Sequence, residues 1–202
     1  MSGSPPQYFT PLPATRLRSK LIRWVDGDRE LGFRTAAGVF SRGGMDRGTR
    51  LLLRAVDTAG AATMLDLGCG YGVVGIVLAC RAPEARVTLV DVNPRAVALA
   101  AENIRLNDVP NAEALCGDGC APVAGRMFDV VAMNPPIRAG RAVVLRLLRE
   151  AHQRLGPVGR LYLVARTSQG AQTLGRLMGT IFSRVAEVER GGGFRVYEAR
   201  HV

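Results

Sequence analysis

The segment best suited to chemistry consists of Asn134, Pro135, Pro136 and Ile137, which directly follow an apolar run. Proline fixes its own backbone φ, carries no N–H donor and pushes the residue before it toward an extended conformation. The side-chain oxygen of Asn134 and the carbonyl oxygen of Pro135 would therefore be two stiffly held hydrogen-bond acceptors. Two such acceptors can accept hydrogen bonds from both N–H groups of an exocyclic amino group and direct its nitrogen at an electrophile. We expect these four residues to be catalytic.

A glycine-rich turn is the second candidate site, and it contains Gly68, Gly70 and Gly72. Glycine tolerates positive φ and lets a ligand lie against the main chain, and a helix that starts at such a turn directs free N–H groups at that ligand. Asp66 lies two residues before the first glycine, and Asp91 ends the next apolar segment, where a carboxylate can accept both hydroxyls of a ribose. The pattern predicts a site for a nucleotide-like cofactor.

The glycine spacing alone leaves the ligand open. Residues 70–75 also fit the G-x-G-x-x-G pattern of dinucleotide-binding folds, which would suit a dehydrogenase. A nucleotide-binding module without catalysis would need the glycine turn but not the Asn-Pro-Pro segment.

Residues 64–72 resemble motif I of the class I S-adenosylmethionine-dependent methyltransferases, in which an acid and three alternating glycines line the methionine and ribose parts of the cofactor. In that family an acid after the third strand holds the adenine amino group, and Asp118 occupies this place. The residues that the resemblance assigns to S-adenosylmethionine are Asp66, Gly68, Gly70, Gly72, Asp91, Asp118 and Asn134.

Residues 134–137 resemble the N-P-P-[F/Y/W/I] motif of methyltransferases that act on the amino groups of adenine, guanine or glutamine. Residues 38–53 and 134–141 are similar to the entry segment and the catalytic loop of the RsmC-type small-subunit ribosomal RNA guanine-N2 methyltransferases and their single-domain relatives. The resemblance covers residues 20–200. Since Ile137 replaces the usual aromatic residue, we expect Phe40 or Tyr71 to compensate for the lost stacking on the base.

This second resemblance implies methyl transfer to the exocyclic amino group of a base in RNA, with guanine N2 of ribosomal RNA as the first candidate. A base inside a duplex cannot reach the methyl donor, so the substrate base must be flipped or single-stranded. An enzyme of the same fold that acts on a protein glutamine or on a small-molecule amine remains the alternative.

The charge of the chain fits a polyanionic partner. The 27 lysines and arginines outnumber the 17 acids and give a net charge of +10, with the cations concentrated in residues 1–60 and 138–202. Arg47, Arg50 and Arg54 have the spacing of one helix face, and arginines also follow the catalytic segment directly. Arginine binds phosphate through its planar fork. The residues we expect to bind the substrate are Phe40, Arg47, Arg50, Arg138 and Arg141.

Alternating apolar strands and amphipathic helices must position these residues. They predict an α/β fold with a doubly wound, mostly parallel seven-stranded sheet and an antiparallel edge strand, as in Rossmann-like methyltransferases. A small β-hairpin formed by residues 20–25 and 29–35 precedes it. The predicted helices are 46–56 (with Asp46 as its cap), 72–82, 94–106, 141–155 and 171–182, and the predicted strands are 63–67, 86–91, 112–116, 128–133, 160–166, 185–188 and 194–199. We expect residues 20–202 to form a single domain after a loose segment, 1–19.

Composition excludes several other classes of protein. A chain that is 48% hydrophobic can bury a core, yet no run approaches the roughly 18 apolar residues of a membrane span. The first residues carry no apolar stretch after a basic start, so we expect no secretory signal and a cytoplasmic location. Four cysteines without a CxxC pair and only two histidines predict reduced thiols, no metal site and no histidine-driven hydrolase. We expect a monomer whose partner is RNA.

Overall fold

The computed structural model describes residues 20–36, 45–135 and 140–201. Segment 1–19, which the sequence predicts to be loose, lies outside the described residues. The same is true of four predicted site residues: Phe40, Pro136, Ile137 and Arg138.

The predicted hairpin is present at the start of the described chain. Strand β1 (Lys20–Asp26) pairs antiparallel with β2 (Arg29–Thr35) through a two-residue turn, where Gly27 has a φ of 58°. Helix α1 (Arg47–Ala55) follows, and the carboxylate of Asp46 caps it by accepting hydrogen bonds from the first-turn amides, as the sequence predicts.

The remaining strands and helices alternate along the chain. In order they are β3 (Thr63–Leu67), α2 (Val73–Arg81), β4 (Arg86–Asp91), α3 (Pro94–Leu106), β5 (Ala112–Cys116), β6 (Phe128–Met133), α4 (Arg141–His152), β7 (Leu155–Arg166), α5 (Ala171–Met178), β8 (Arg184–Gly191) and β9 (Phe194–Arg200).

One seven-stranded sheet runs in the order β5-β4-β3-β6-β7-β9-β8. The pairs from β5 to β7 are parallel, and β9 lies antiparallel between β7 and the outermost strand, β8. The predicted α/β fold, the doubly wound and mostly parallel seven-stranded sheet, the antiparallel pairing at one edge and the preceding hairpin are therefore confirmed.

Two helices end earlier than the sequence predicts. Helix α4 ends at His152 because Leu155 already pairs with Phe128 and begins β7, where a register shift accommodates the extra residues. Helix α5 ends at Met178, with the weak helix former Gly179 as its C-cap. The buried Phe182 continues the apolar pattern of α5, but it packs from the following turn.

Apolar side chains fill both faces of the sheet. Alternate residues of the central strands point to opposite sides, so that Met64 joins one buried cluster and Leu65 the other. The first cluster lies under the hairpin, α1, α2 and α3, and the second under α4 and α5.

None of the four cysteines is paired: Cys69 and Cys120 are buried, whereas Cys116 is exposed. No helix in the described ranges combines the length and the apolar character that crossing a bilayer requires.

Asn103 of α3 and Asn107, the C-cap of the same helix, attach the hairpin to the rest of the fold. The side-chain amide of Asn107 accepts from the N–H of Gly32 and donates to its carbonyl, both at 2.8 Å. Asn103, one turn earlier, makes the same pair of bonds with Arg34, at 2.7 and 2.9 Å. These amides imitate the peptide groups of a third strand along the edge of β2. Asn103 also donates to the carbonyl of Tyr71 at 2.8 Å and so joins the hairpin to the glycine-rich turn.

Candidate active site

The predicted polar residues that the structure describes meet at one edge of the sheet. Asp66, Asp91, Asp118 and Asn134 lie at or just beyond the carboxyl ends of β3, β4, β5 and β6, which are neighbours in the sheet. Open α/β sheets bind their ligands at this edge. Residues distant in sequence are thus brought together as the fold prediction requires.

The glycine-rich turn between β3 and α2 has open space beside two of its glycines. Gly68 and Gly70 have φ values of 80° and 57°, and a Cβ atom at either position would meet nothing within 4 Å. Gly72, with a φ of 91°, is enclosed, because a Cβ there would lie 3.0 Å from Leu89. Gly72 has no side chain to cap α2, and in the first turn only the amide of Gly75 has a side-chain acceptor, which leaves the amides of Val73 and Val74 without one among the described residues. An anionic group can bind at such a helix start.

Asp66 lies beneath this turn and is only 2% exposed. Its Oδ2 accepts a hydrogen bond from the N–H of Gly75 at 2.8 Å, which joins the end of β3 to the first turns of α2. Burial raises the pKa of the Asp66 carboxyl to about 7, and the nearby charge of Asp91 adds to the effect. In this position Asp66 shapes the turn through α2.

Asp91 ends β4 opposite the turn. Its Oδ2 accepts from the N–H of Gly70 and its Oδ1 from the N–H of Asn93, both at 2.8 Å. Burial raises the pKa of the Asp91 carboxyl, although the two amide hydrogen bonds act in the opposite direction. Each carboxylate oxygen can accept more than one hydrogen bond. Asp91 therefore keeps acceptor capacity for a diol such as that of ribose.

Asp118 is exposed and is held by an ion pair. Its Oδ1 lies 2.7 Å from Nη2 of Arg146 on α4. The same guanidinium binds Glu150 at 2.6 Å, and Glu150 accepts from the N–H of Cys120 at 2.9 Å. Arg146 and Glu150 thus fix the loop after β5, a role that the sequence analysis missed. Their i,i+4 spacing on a predicted helix is the signal that could have indicated the pair.

Asn134 and Pro135 leave the carboxyl end of β6, and Pro135 is buried. The Nδ2 of Asn134 donates to Oγ1 of Thr49 on α1 at 3.3 Å. No residue in the described ranges donates to the Oδ1 of Asn134. The side-chain oxygen is therefore available as an acceptor at this edge of the sheet.

Exposed arginines lie on α1, the helix whose Thr49 contacts Asn134, and at the start of α4. Arg47, Arg50, Arg54 and Arg141 are all exposed and form no ion pair with any described carboxylate. Arg50 lies over the ring of Trp24 at 5.6 Å, so part of its side chain is engaged in packing the hairpin. The Cδ of Arg47 comes within 3.4 Å of the position that a Cβ on Gly192 would occupy, which brings this arginine to the turn between β8 and β9.

Tyr71 is not placed to stack on a substrate base, which corrects one of the two suggested replacements for the aromatic residue at position 137. The residue is 4% exposed, and its ring packs edge-to-face against Phe33, with the ring centroids 6.3 Å apart. The apolar neighbours of the first buried cluster enclose it.

Two further residues at this edge were missed by sequence reasoning. Arg166 ends β7, and its guanidinium lies over the ring of Phe194, the first residue of β9, at 5.2 Å. The Phe194 ring packs on Gly48 in the first turn of α1: a Cβ at position 48 would be 2.8 Å away. The arginine at the end of a predicted inner strand is the signal that could have found this pair.

Comparison with known proteins agrees with this geometry. Residues 30–198 match the family described as the methyltransferase small domain. The chain is 29% identical over 197 residues to the uncharacterized protein YbxB of Bacillus subtilis, covering 96% of this chain and 98% of YbxB. It is 37% identical over 169 residues to the ribosomal RNA small subunit methyltransferase C of Pseudomonas fluorescens, covering 81% of this chain and 49% of that protein.

A solved structure extends the comparison to the fold. The 16S rRNA N2 guanine methyltransferase RsmC of T. thermophilus, in complex with AdoMet and guanosine, superimposes with a TM-score of 0.82 at 26% identity. The alignment covers 95% of this chain and 52% of that one. The chain thus spans about half the length of the ribosomal RNA methyltransferases it matches.

The sheet order is that of a Rossmann-like fold, and the comparisons identify the class as methyltransferases whose cofactor is S-adenosylmethionine. The chain belongs to the methyltransferase small-domain family. The predicted enzyme class, the predicted cofactor and the predicted resemblance to the RsmC-type enzymes are confirmed at this level.

Proposed function

We propose that this chain transfers a methyl group to the exocyclic amino nitrogen of a base in RNA, with guanine N2 of ribosomal RNA as the first substrate to test. Residues 20–202 would act as one catalytic unit. The observation that carries the proposal is Asn134, whose side-chain oxygen is available as an acceptor beside the glycine-rich turn.

The residues at the turn fit S-adenosylmethionine. When bound, this cofactor supplies an electrophilic methyl group on a sulfonium. The open space beside Gly68 and Gly70 leaves the main chain accessible to a ligand, and Asp91 retains lone pairs for a ribose diol. Asp118, exposed and held by Arg146, is suited to an adenine amino group. Asp66 supports the same site indirectly, by holding α2 through Gly75.

The Asn-Pro segment would act on the substrate amino group. An exocyclic amine is a poor nucleophile, because its lone pair is delocalised into the ring. The Asn134 oxygen and the Pro135 carbonyl would accept its two N–H bonds, which returns electron density to the nitrogen as the methyl group moves. The new nitrogen–carbon bond would replace the bond between the methyl group and sulfur and leave a neutral thioether. The nitrogen would lose its extra proton to water afterwards, so that no strong base is required before transfer.

The charge distribution supports RNA as the substrate. Arg47, Arg50 and Arg54 on α1 and Arg141 at the start of α4 flank the Asn134 edge. Arginines in this position would bind phosphates and hold the strand while one base enters the site. A glutamine side chain or a small amine would need no such basic surface.

The relatives indicate which base and which ribosomal RNAs should be tested first. The T. thermophilus enzyme was solved with guanosine, which favours guanine. Similar proteins include a large-subunit methyltransferase G from Streptomyces avermitilis, 40% identical over 139 residues, covering 66% of this chain and 37% of that protein. Both ribosomal subunits therefore belong in the test.

Mass spectrometry of nucleosides from a deletion strain and its parent tests the substrate. We expect one N2-methylguanosine in ribosomal RNA to disappear with the gene and to return when purified protein and S-adenosylmethionine are added. Naked RNA and assembled subunits from the deletion strain would be compared in the second step. Unchanged RNA together with a lost methyl group on a protein glutamine or a small amine would contradict the proposal and establish the alternative.

The catalytic assignment is tested by Asn134→Ala. We expect S-adenosylmethionine binding to stay nearly intact while the single-turnover rate falls by ~10²-fold or more, the scale of a lost transition-state hydrogen bond. Asn134→Asp keeps an acceptor and should retain more activity than Asn134→Ala. A wild-type rate for a folded Asn134→Ala protein would make the segment structural, and the proposed reaction would fall with it.

A further inference from the structure

Asn134 is the end of a short chain of hydrogen bonds that begins at the cap of α1. Asp46 accepts from the N–H of Gly48 at 2.8 Å and from the N–H of Thr49 at 3.1 Å, both through Oδ1. Its Oδ2 receives the hydroxyl of Thr49 at 2.6 Å. That hydroxyl oxygen in turn lies 3.3 Å from Nδ2 of Asn134.

The direction of each hydrogen bond follows from the groups involved. A carboxylate only accepts, so Thr49 must give its single hydroxyl proton to Asp46. The Thr49 oxygen then has only lone pairs left to offer Asn134. Asn134 must therefore present its NH₂ group to Thr49, and this turns its carbonyl oxygen away from α1.

We propose that Asp46 and Thr49 are positioning residues that set the orientation of the Asn134 side-chain amide. The inference rests on the proposed role of Asn134 as an acceptor for the substrate amino group. A rotation of the amide by half a turn would bring its oxygen against the lone pairs of Thr49. It would also direct the NH₂ group of Asn134 at the amino group of the substrate base, so that two donors would face each other without an acceptor between them. The helix cap thereby controls which end of the amide meets the substrate.

The surroundings of Thr49 support this role. Thr49 is only 7% exposed, so little water can replace the hydrogen bond that it accepts from Asn134. Thr49 belongs to the first turn of α1, whose buried leucines anchor the helix on the sheet. The hydroxyl is thus held in place by the packing of a helix that supplies none of the predicted catalytic residues.

Asp46→Asn is the sharpest variant, because asparagine caps helices about as well as aspartate. Its oxygen can still accept from Gly48 and Thr49, but its NH₂ group would replace Oδ2 and donate to the Thr49 hydroxyl. The hydroxyl proton would then turn to Asn134 and favour the wrong amide orientation. Thr49→Val removes the hydroxyl at nearly constant volume, and Thr49→Ser restores it.

Thr63→Val provides a matched control, because Thr63 begins β3 and so lies at the end of the sheet opposite to the candidate active site. The Thr63 hydroxyl donates to the Asp129 carboxylate at 3.1 Å, which is the same pair of groups as Thr49 with Asp46. We expect Thr63→Val to lower the thermal unfolding midpoint and to leave methyl transfer unchanged.

Single-turnover methylation at saturating RNA and cofactor separates the outcomes. We expect Asp46→Asn and Thr49→Val to slow transfer about tenfold, the scale of one hydrogen bond, with unchanged S-adenosylmethionine affinity and with Thr49→Ser near the wild-type rate. In an Asn134→Ala background, Thr49→Val should add no further loss, since its effect acts through Asn134.

Two results would overturn the inference while leaving the proposed function untouched. One is a wild-type rate for Asp46→Asn and Thr49→Val in folded proteins whose Asn134→Ala counterpart is slow, and that result leaves the proposed function standing. The other is a tenfold loss from Thr49→Val that persists in the Asn134→Ala background. A wild-type rate for Asn134→Ala itself would instead overturn the proposed function, and this inference with it.

Discussion

Asp91 illustrates at the scale of one residue how a carboxylate can serve the fold and a ligand together. It accepts from the amides of Gly70 and Asn93 and keeps lone pairs for ribose. Asp91→Ala should weaken S-adenosylmethionine binding by about 1–3 kcal/mol, the size of a lost pair of charge-assisted hydrogen bonds. Titration calorimetry measures this directly.

Asp91→Asn is the control for that variant, because it keeps one acceptor oxygen and the shape of the side chain. It should bind the cofactor more tightly than Asp91→Ala and less tightly than the wild type. Wild-type affinity in a folded Asp91→Ala protein would contradict the ribose assignment.

Asp66 gives a prediction about pH. Its folded-state pKa of about 7 lies above the ordinary value of 3.8, so the folded protein holds this proton more tightly than the unfolded chain. Between about pH 4 and pH 7 the folded state binds more protons, and the free energy of unfolding from this group falls as pH rises. Asp66→Asn should therefore gain stability relative to the wild type from pH 5.5 to pH 8, as measured by urea unfolding.

The difference in unfolding free energy between Asp66→Asn and the wild type separates the contribution of Asp66 from those of other titrating groups. The pKa of Asp91 is also raised and that of His152 is lowered by burial, so the wild-type profile combines opposing contributions. A constant stability difference between Asp66→Asn and the wild type over this pH range would show that the Asp66 carboxyl has an ordinary pKa.

At the scale of elements, α3 and its C-cap connect the hairpin to the glycine-rich turn. Asn103 and the C-cap Asn107 both bind the hairpin, and of the two only Asn103 also donates to the turn. Asn103→Ala would remove the hydrogen-bond partners of two partly buried backbone groups of Arg34 and of the buried carbonyl of Tyr71. We expect it to lower the free energy of unfolding by about 3 kcal/mol and to weaken S-adenosylmethionine binding. Denaturant unfolding and calorimetry test the two effects.

Asn107→Ala is the matched variant, since it loosens the hairpin at Gly32 without touching the glycine-rich turn. It should be less destabilising and should leave cofactor affinity unchanged. Equal losses of cofactor affinity in both variants would mean that the hairpin as a whole, and not the bond to Tyr71, supports the turn.

The elements themselves were largely predictable from sequence, and the exceptions have physical causes. Period-two apolar runs and caps such as Asp46 and Asn93 located the strands and most helix starts. The ends of α4 and α5 were misplaced because a buried apolar residue follows each helix after it has stopped, Leu155 after α4 and Phe182 after α5. The apolar periodicity of a sequence indicates which residues are buried. A buried residue that follows a helix can continue this pattern as well as a residue inside the helix.

The glycine spacing could not identify the ligand for a related reason. Gly75, which completes the dinucleotide-type pattern, is required by packing: a Cβ at that position would lie 2.5 Å from Leu89. A parallel β-α-β unit needs this close approach whatever it binds. The contacts of Thr49 with Asn134 and of Arg146 with Asp118 were equally beyond the sequence, because they join segments that only the fold brings together.

Charge is segregated along the active edge of the whole molecule. Asp66, Asp91 and Asp118 occupy the ends of β3 to β5, while exposed arginines surround the ends of β6 to β9. Replacing Arg47 or Arg54 with alanine should lower RNA affinity and flatten the slope of log affinity against log salt by about one unit. Cofactor affinity should not change. Filter binding over a range of salt concentrations provides the measurement.

Arg50→Ala is the informative comparison, because Arg50 also lies over Trp24. It should reduce the salt slope and, in addition, loosen the hairpin enough to lower the thermal midpoint. Salt slopes equal to the wild type in all three variants would assign these arginines to an ordinary hydrated surface.

The position of β9 has a consequence for the newly made polypeptide. Of the strands in the sheet, β9 leaves the ribosome last, yet it belongs between β7 and β8. Until it is inserted, β7 and β8 have no common neighbour, and both present unpaired backbone groups that can pair with other chains. Phe194, on which Arg166 and the first turn of α1 pack, arrives only with this strand. The arginine-rich half of the edge is thus completed after the half that carries the glycine-rich turn has been translated, so a chain interrupted before β9 would hold that turn beside an unfinished arginine-rich surface.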